Sequence, residues 1–318
     1  MSVLTGHSPP RRRLSRGEDR PRPDRPRPAR RAALRERLLA GGFLLPAAVL
    51  VTVVLLVPFV YTLYRSFFSD YTHSTFNGLA NYASFFTDPN LLRSMENTLM
   101  WVAGAIVLPT GSGLAIAMLT DSARWSRLAR LSVTLPYAIS GSAVAVVWNF
   151  ILTSNGALNE ALNSLGLGRF AGGWLLNWPG NTIVMIIANA WQATGVAVIL
   201  FMVGLQTVAP DTLEAAALDG AGPWQRFRHV VFPQLRPVTV IVVGMSLVGG
   251  LKAFDLIFVL TQGGPGRVTE TLAVSMYQET FLFLDPGEGA AIAVILTIIV
   301  LLASWTYLRR QLPVRGKA

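Results

Sequence analysis

The chain has 318 residues, a formal net charge of +10, 52% hydrophobic residues against 14% charged ones, and no cysteine. The missing cysteine excludes a disulfide framework, a thiolate metal site and a cysteine nucleophile. Of its 27 basic and 17 acidic residues, 16 lie in the first 39 positions. The basic excess thus belongs mainly to one Pro- and Arg-rich tail without aromatic interleaving, which argues against a nucleic-acid surface.

That tail, RRRLSRGEDRPRPDRPRPARRAALRER, has almost nothing to bury and is expected to be disordered to about position 28. Positions 29–40 read as a short basic helix on the membrane surface. The tail as a whole, 1–39, reads as an uncleaved cytosolic anchor rather than a secretory signal, because the apolar run after it is too long and lacks a small-residue cleavage site.

Six apolar runs follow, at 41–64, 98–120, 131–153, 182–208, 238–262 and 289–307. About 20 helical residues cross a bilayer's hydrocarbon, so positions 40–318 read as an all-α, polytopic membrane domain of six transmembrane helices. With the N-terminus inside, 22 of the 27 basic residues fall in cytoplasmic segments. By the positive-inside rule both termini then face the cytosol. The outer connections hold only Arg65, Arg93, Arg169 and Arg267, and their aromatic, Pro and Gly signals suggest ordered caps. Pro109 and Pro136 should kink or start their spans. Small residues four apart, Gly141 with Ala145 and Ser246 with Gly250, suit close helix packing in lipid.

Catalytic chemistry is hard to assemble. His7, His73 and His229 lie in the tail, an outer loop and a cytosolic stretch, so they cannot surround a metal. No GxxxxGK[ST] loop occurs, so any nucleotide that drives this chain must bind another subunit. Charges inside spans cost on the order of 3 kcal/mol each by insertion scales, and only Lys252 and Asp255 qualify. Three apart on the fifth run, they would share a helix face and neutralise each other, either as a pathway or gate or as a structural ion pair. Asn189 and Gln192 on the fourth run, and Trp148 and Asn149 on the third, combine amides with rings as sugar sites do. Interhelical hydrogen bonds would explain them equally well.

One long polar interruption remains, PDTLEAAALDGAGPWQRFRHVVFPQLRP at 210–237. Asp211 and Glu214 have capping-box spacing, with Pro210 just outside the helix. Strong helix formers follow until Gly220 and Gly222, and Pro223 suits the first turn of a second helix. Trp224, Phe227 and Val230 or Val231 recur at helical spacing. This apolar face outside the membrane suggests docking into a partner's groove, or a helix lying on the bilayer.

The segment closely resembles the EAA loop of binding-protein-dependent ABC importer permeases, through Glu214, Ala215, Ala216, Asp219, Gly220, Ala221, Phe227, Pro233 and Pro237. VPFVYTLYRSF, NTLMW, LPYAISGSAVAVVWNF, NGALN and FDLIFVLTQGGPG with TETLA extend the likeness over nearly the whole chain after residue 40, toward the carbohydrate branch and its maltose-type and glycerol-3-phosphate-type first permease subunits. The permease core would cover about 93–308 and the coupling loop 209–237. What the resemblance implies is a non-enzymatic, multi-pass subunit of a bacterial cell membrane, carrying a sugar, with an oligosaccharide ahead of glycerol-3-phosphate or a polyol. Its partners would be a second permease, two ATPase subunits that bind ATP and Mg, and an extracytoplasmic solute-binding protein. The loop would couple to the ATPase through Glu214, Ala215, Ala216, Asp219, Gly220, Trp224 and Phe227: Glu214 and Asp219 in polar contacts to the ATPase or within the loop, Gly220 at a turn that a β-carbon would obstruct, and Trp224 and Phe227 buried on either the ATPase or the neighbouring helices. An ion-coupled secondary transporter is the competing class and would predict titratable residues deep in several helices.

Overall fold

The computed structural model describes residues 42–69, 72, 75–121 and 126–311. The basic tail, its expected surface helix, His7 and His73 lie outside them. The chain divides into two compact units, Met1–Val57 and Pro58–Ala318, and the second contains the bundle. In chain order the helices are α1 (Gly42–Arg65), α2 (Ala80–Thr87), α3 (Pro89–Asp121), α4 (Ser126–Thr134), α5 (Gly141–Leu152) and α6 (Ala157–Ser164). They continue as α7 (Gly180–Leu205), α8 (Pro210–Leu218), α9 (Pro223–Gln234), α10 (Arg236–Leu251), α11 (Asp255–Thr261), α12 (Leu272–Phe281) and α13 (Pro286–Gln311). Among the described residues five stretches are long and apolar enough to cross a membrane: Gly42–Arg65, Pro89–Thr120, Gly141–Ser164, Gly180–Leu205 and Pro286–Arg309. The pair α9 and α10, bent by 70°, makes a sixth if counted as one span.

Two of the expected runs are not single helices. In the third, α4 gives way to a 3-10 turn at Leu135–Ala138, and α5 starts afresh with Ser140 capping the Ala143 N–H. Pro136 lies in that turn, where its ring and missing N–H prevent continuous α-helix. In the fifth, α10 stops at Leu251, Phe254 takes φ −137° and ψ −63°, and α11 begins at Asp255. Gly249 and Gly250 immediately before this break weaken the helix there. Pro109, by contrast, sits within continuous α3.

In lipid there is no hydrophobic drive between helices, so close backbone approach must hold them together. α3 and α7 run in the same direction: Ser112 Oγ meets Thr194 Oγ1 at 2.8 Å, and a β-carbon on Gly113 would lie 2.6 Å from that of Ala197. α10 runs the opposite way across them, from Val238 beside Gly204 to Gly250 against the Trp101 and Val102 backbone. Around this crossing Trp101, Val144, Met185, Leu256, Ile257 and Val274 form a buried core.

The end of the bundle where α3 and α7 begin is closed by a polar cap that composition did not reveal. Asn97, fully buried on α3, donates to the Val268 and Glu270 carbonyls, both at 2.8 Å, and accepts from Trp178 Nε1 at 3.0 Å and Thr182 Oγ1 at 3.1 Å. An amide offers two N–H donors and two lone pairs, so its capacity is filled. Asn159 is filled in the same way by Ser154 O, Gly172 O, Gly172 N–H and Trp174 Nε1. Arg267 bridges buried Glu270, at 2.7 and 3.0 Å, and Glu279, at 2.7 Å. Burial pushes the Glu279 carboxyl above its ordinary range, and its contact with Arg267 only partly offsets this.

Overpacking a close-packed contact costs about 1–3 kcal/mol. A side chain on Gly250 would place its Cβ 2.7 Å from Val102 Cα, whereas one on Gly249 would meet nothing within 4 Å. Gly250→Val is therefore expected to lower the thermal unfolding midpoint of the purified protein by several degrees, and Gly249→Ala to leave it nearly unchanged.

Candidate functional site

Both helix breaks open onto the same space. A cavity of about 270 Å³ is lined by Tyr137 from the first break, by Asn189, Gln192 and Val196 of α7, and by Met245, Ser246 and Gly249 of α10. A second cavity of about 170 Å³ shares Asn189, Gln192 and Gly249 and is completed by Trp101, Gly141, Lys252 and Asp255. Gly195 lets α7 lie against the first break, since a β-carbon there would come within 2.9 Å of Tyr137 Cβ and 3.0 Å of the Val133 carbonyl. Gln192 fastens that contact by donating to the Ile139 carbonyl at 2.6 Å.

Four of the six expected pathway residues, Asn189, Gln192, Lys252 and Asp255, thus come together although they belong to different elements. Their relation differs from the expectation in one respect. Lys252 caps the end of α10 and Asp255 opens α11, so the two share no continuous helix face. None of the ion pairs among the described residues joins them. Both are exposed in the isolated chain, and a β-carbon on Gly141 would sit 3.6 Å from Asp255 Oδ2. The structural ion pair is therefore not formed, and each charge is offered to the cavity separately.

Trp148 and Asn149 line neither cavity. Trp148 packs beside the buried core and meets Trp191 edge to face at 6.1 Å between centroids. Trp101, which the sequence marked only as the end of NTLMW and without a role, also belongs to the site: its ring is 2% exposed and borders the smaller cavity, and its Nε1 has no hydrogen-bond partner among the described residues. Nothing in its surrounding apolar run marked it as bordering a cavity.

At the opposite end from the polar cap, α8 and α9 form two short helices around a glycine turn. Pro210 is the first residue of α8 rather than lying outside it, and the expected Asp211 and Glu214 capping box is not formed. Ala209, the N-cap, has no side-chain acceptor, and the α9 entry carries the reciprocal bond instead, Gln225 Oε1 accepting the Gly222 N–H at 2.9 Å. Gly220 follows the C-cap Asp219 at φ +79°, yet a β-carbon there would meet nothing within 4 Å. The need for glycine is torsional, from the left-handed backbone, and not the steric obstruction expected.

Glu214, Ala215 and Asp219 are exposed on this unit and Ala216 is half-buried. Trp224 and Phe227 part company, although their rings are 5.2 Å apart. Phe227 packs inward on Val208, Val231 and Leu235, fixing α9 to the ends of α3 and α7. Trp224 is 68% exposed and Leu218 88%, so the outward apolar face is carried by Trp224 and by Leu218, which had not been singled out.

Known proteins resemble the chain over most of its length. Residues 98–313 match the model of the binding-protein-dependent transport system inner membrane component family. The osmoprotective compounds uptake permease protein GgtC of Synechocystis sp. is 33% identical, covering 84% of this chain and 97% of that one. The sulfoquinovosyl glycerol transport system permease protein SmoG of Agrobacterium fabrum is 34% identical, covering 87% and 91%. A chain in the crystal structure of a bacterial alginate ABC transporter, in complex with an alginate pentasaccharide-bound periplasmic protein, superposes with a TM-score of 0.74 at 19% identity over 86% of this chain and 94% of that one. That last likeness concerns the fold. The family match and these relatives together identify this chain as a member of the binding-protein-dependent transport system inner membrane components.

Proposed function

We propose that the chain is the pathway-forming permease of an ATP-driven importer for a sugar, with an oligosaccharide or a glycosylated polyol as its cargo. The observation that carries this reading is the cavity at the two helix breaks, which gathers amide, indole, ammonium and carboxylate groups inside an otherwise apolar bundle. Hydroxyl groups need such donors and acceptors, and sugar faces need apolar surface beside them. The name of one relative, a sulfoquinovosyl glycerol transport permease, supports a hydroxylated solute.

The α8 and α9 unit is the ATPase-docking element in this reading. Leu218 and Trp224 supply an apolar anchor that would otherwise lie in water, while Glu214 and Asp219 supply polar contacts around it. Phe227 acts on the other side, transmitting displacement of the unit to the ends of α3 and α7 through Val231 and Leu235. The importer would comprise this chain, a second permease, two ATPase subunits on the cytosolic face that bind ATP and Mg, and a solute-binding protein outside. The loop end would be cytosolic and the polar cap extracytoplasmic, in agreement with the distribution of Lys and Arg.

Two substitutions test the two halves of the reading. Lys252→Ala and Asp255→Ala should each lower uptake by about tenfold or more, equivalent to ~1.4 kcal/mol, with assembled protein unchanged. Normal uptake by both would remove them from the pathway. A β-branched residue at φ +79° costs about 1–2 kcal/mol, so Gly220→Val should leave the permease in the membrane but reduce binding-protein-stimulated ATP hydrolysis in reconstituted vesicles. Gly222→Ala, at φ −67° with Gln225 Oε1 3.9 Å from the new carbon, is the matched control. Unchanged stimulation in Gly220→Val would refute the docking assignment.

A further inference from the structure

The connection from α12 to α13 sorts its residues by polarity in the reverse of what water imposes. Phe281, Leu282, Phe283 and Leu284 are 61%, 55%, 53% and 64% exposed. Each acidic neighbour is buried or half-buried and hydrogen-bonded instead. Glu279 is held by Arg267 at 2.7 Å, Asp285 accepts the Glu288 N–H at 2.9 Å, and Glu288 accepts from Ser84 Oγ at 2.8 Å.

The exposure is built in rather than left over. Leu284 is held at φ +59°, a conformation that disfavours a branched side chain. Two backbone bonds flank it, Phe283 N–H to Gln278 O and Asp285 N–H to Glu279 O, both 2.8 Å. The Arg267 guanidinium lies over the Phe283 ring at 4.9 Å, fastening the four-residue projection to the cap. Tyr277 then links Phe281, at 5.1 Å between centroids, to Phe254 and Phe258, at 5.4 and 5.0 Å.

Depth along the bundle identifies what surrounds this projection. α13 has 26 residues, and at about 1.5 Å per residue it is roughly 39 Å long, which exceeds a hydrocarbon layer of about 30 Å. Its far end carries Arg309, and such a side chain favours the headgroup level. Counting back from there puts Pro286 at the opposite edge of the hydrocarbon and residues 281–284 in the adjoining interfacial layer, about 5–7 Å thick. Aromatic and large apolar side chains partition into that layer.

We propose that Phe281, Leu282, Phe283 and Leu284 form a wedge seated in the boundary between lipid headgroups and acyl chains, on the leaflet next to the polar cap. The lipid surface is the wedge's partner, and the ring series through Tyr277 ties its depth to Phe254 at the break between α10 and α11.

The chain contains no cysteine, so Leu282→Cys provides a unique labelling site in it without touching the Arg267 contact, and Phe283→Cys a second one that gives up the ring under the Arg267 guanidinium. A nitroxide at each would be measured in lipid nanodiscs, in the full chain with the subunits that co-purify, after subtraction of the signal from the labelled parent. Collisions with oxygen, which partitions into lipid, are expected to exceed those with a water-soluble nickel chelate severalfold at both sites. A greater response to the nickel chelate would place the residues in water. Protection from both reagents would mean that another protein surface covers them. Either result overturns the proposal.

Discussion

Inside a bilayer no water is available to satisfy a polar group, so each one must find its partner within the protein or face an aqueous cavity. The architecture of this chain follows from that constraint. At one end Asn97 and Asn159 exhaust their hydrogen-bonding capacity, and two carboxylates share the Arg267 guanidinium. Midway, the spans interrupted at residues 135–140 and 252–254 direct their irregular backbone toward common cavities. At the other end the polar segment containing α8 and α9 leaves the apolar bundle altogether.

The same constraint separates continuous helices from interrupted ones. α3 and α7 are continuous and joined by near-contact of Gly113 with Ala197. The broken elements lie around them, α4 and α5 on one side and α10 and α11 on another. α10 connects directly to α9 through a 70° bend, so a displacement of α8 and α9, were they to dock on a partner as proposed, would reach the Lys252 and Asp255 break along a single helix. The cavity and the α8 and α9 unit are therefore joined through one helix despite their separation.

Much of this was legible in the sequence because it rests on local or periodic signals. Apolar runs revealed the spans, and Gly220, Gly222 and Pro223 revealed two helices around a turn. Hydropathy reports apolarity but not helix continuity, so the run at 238–262 hid the break that parts Lys252 from Asp255. Spacing alone made them partners, whereas the break sets them on separate helices and they form no ion pair. The cap was illegible for another reason: its central bonds join Asn97 to residues 81 to 173 positions away, and such pairings exist only once the helices are packed. NTLMW, NGALN and TETLA were recognised by resemblance alone, and their Asn97, Asn159 and Glu270 prove to be the residues that satisfy the cap. Trp101 shows the converse limit, since an unpaired indole beside a cavity looks in sequence like any other core residue.

The most direct test is the composition of the assembly. Affinity purification of this chain from its native membrane, followed by mass spectrometry and a nucleotide-hydrolysis assay, is expected to yield a second multi-span permease and an ATPase whose activity rises when a solute-loaded binding protein is added. A chain that purifies without an ATPase and sustains uptake on an ion gradient alone would contradict the account.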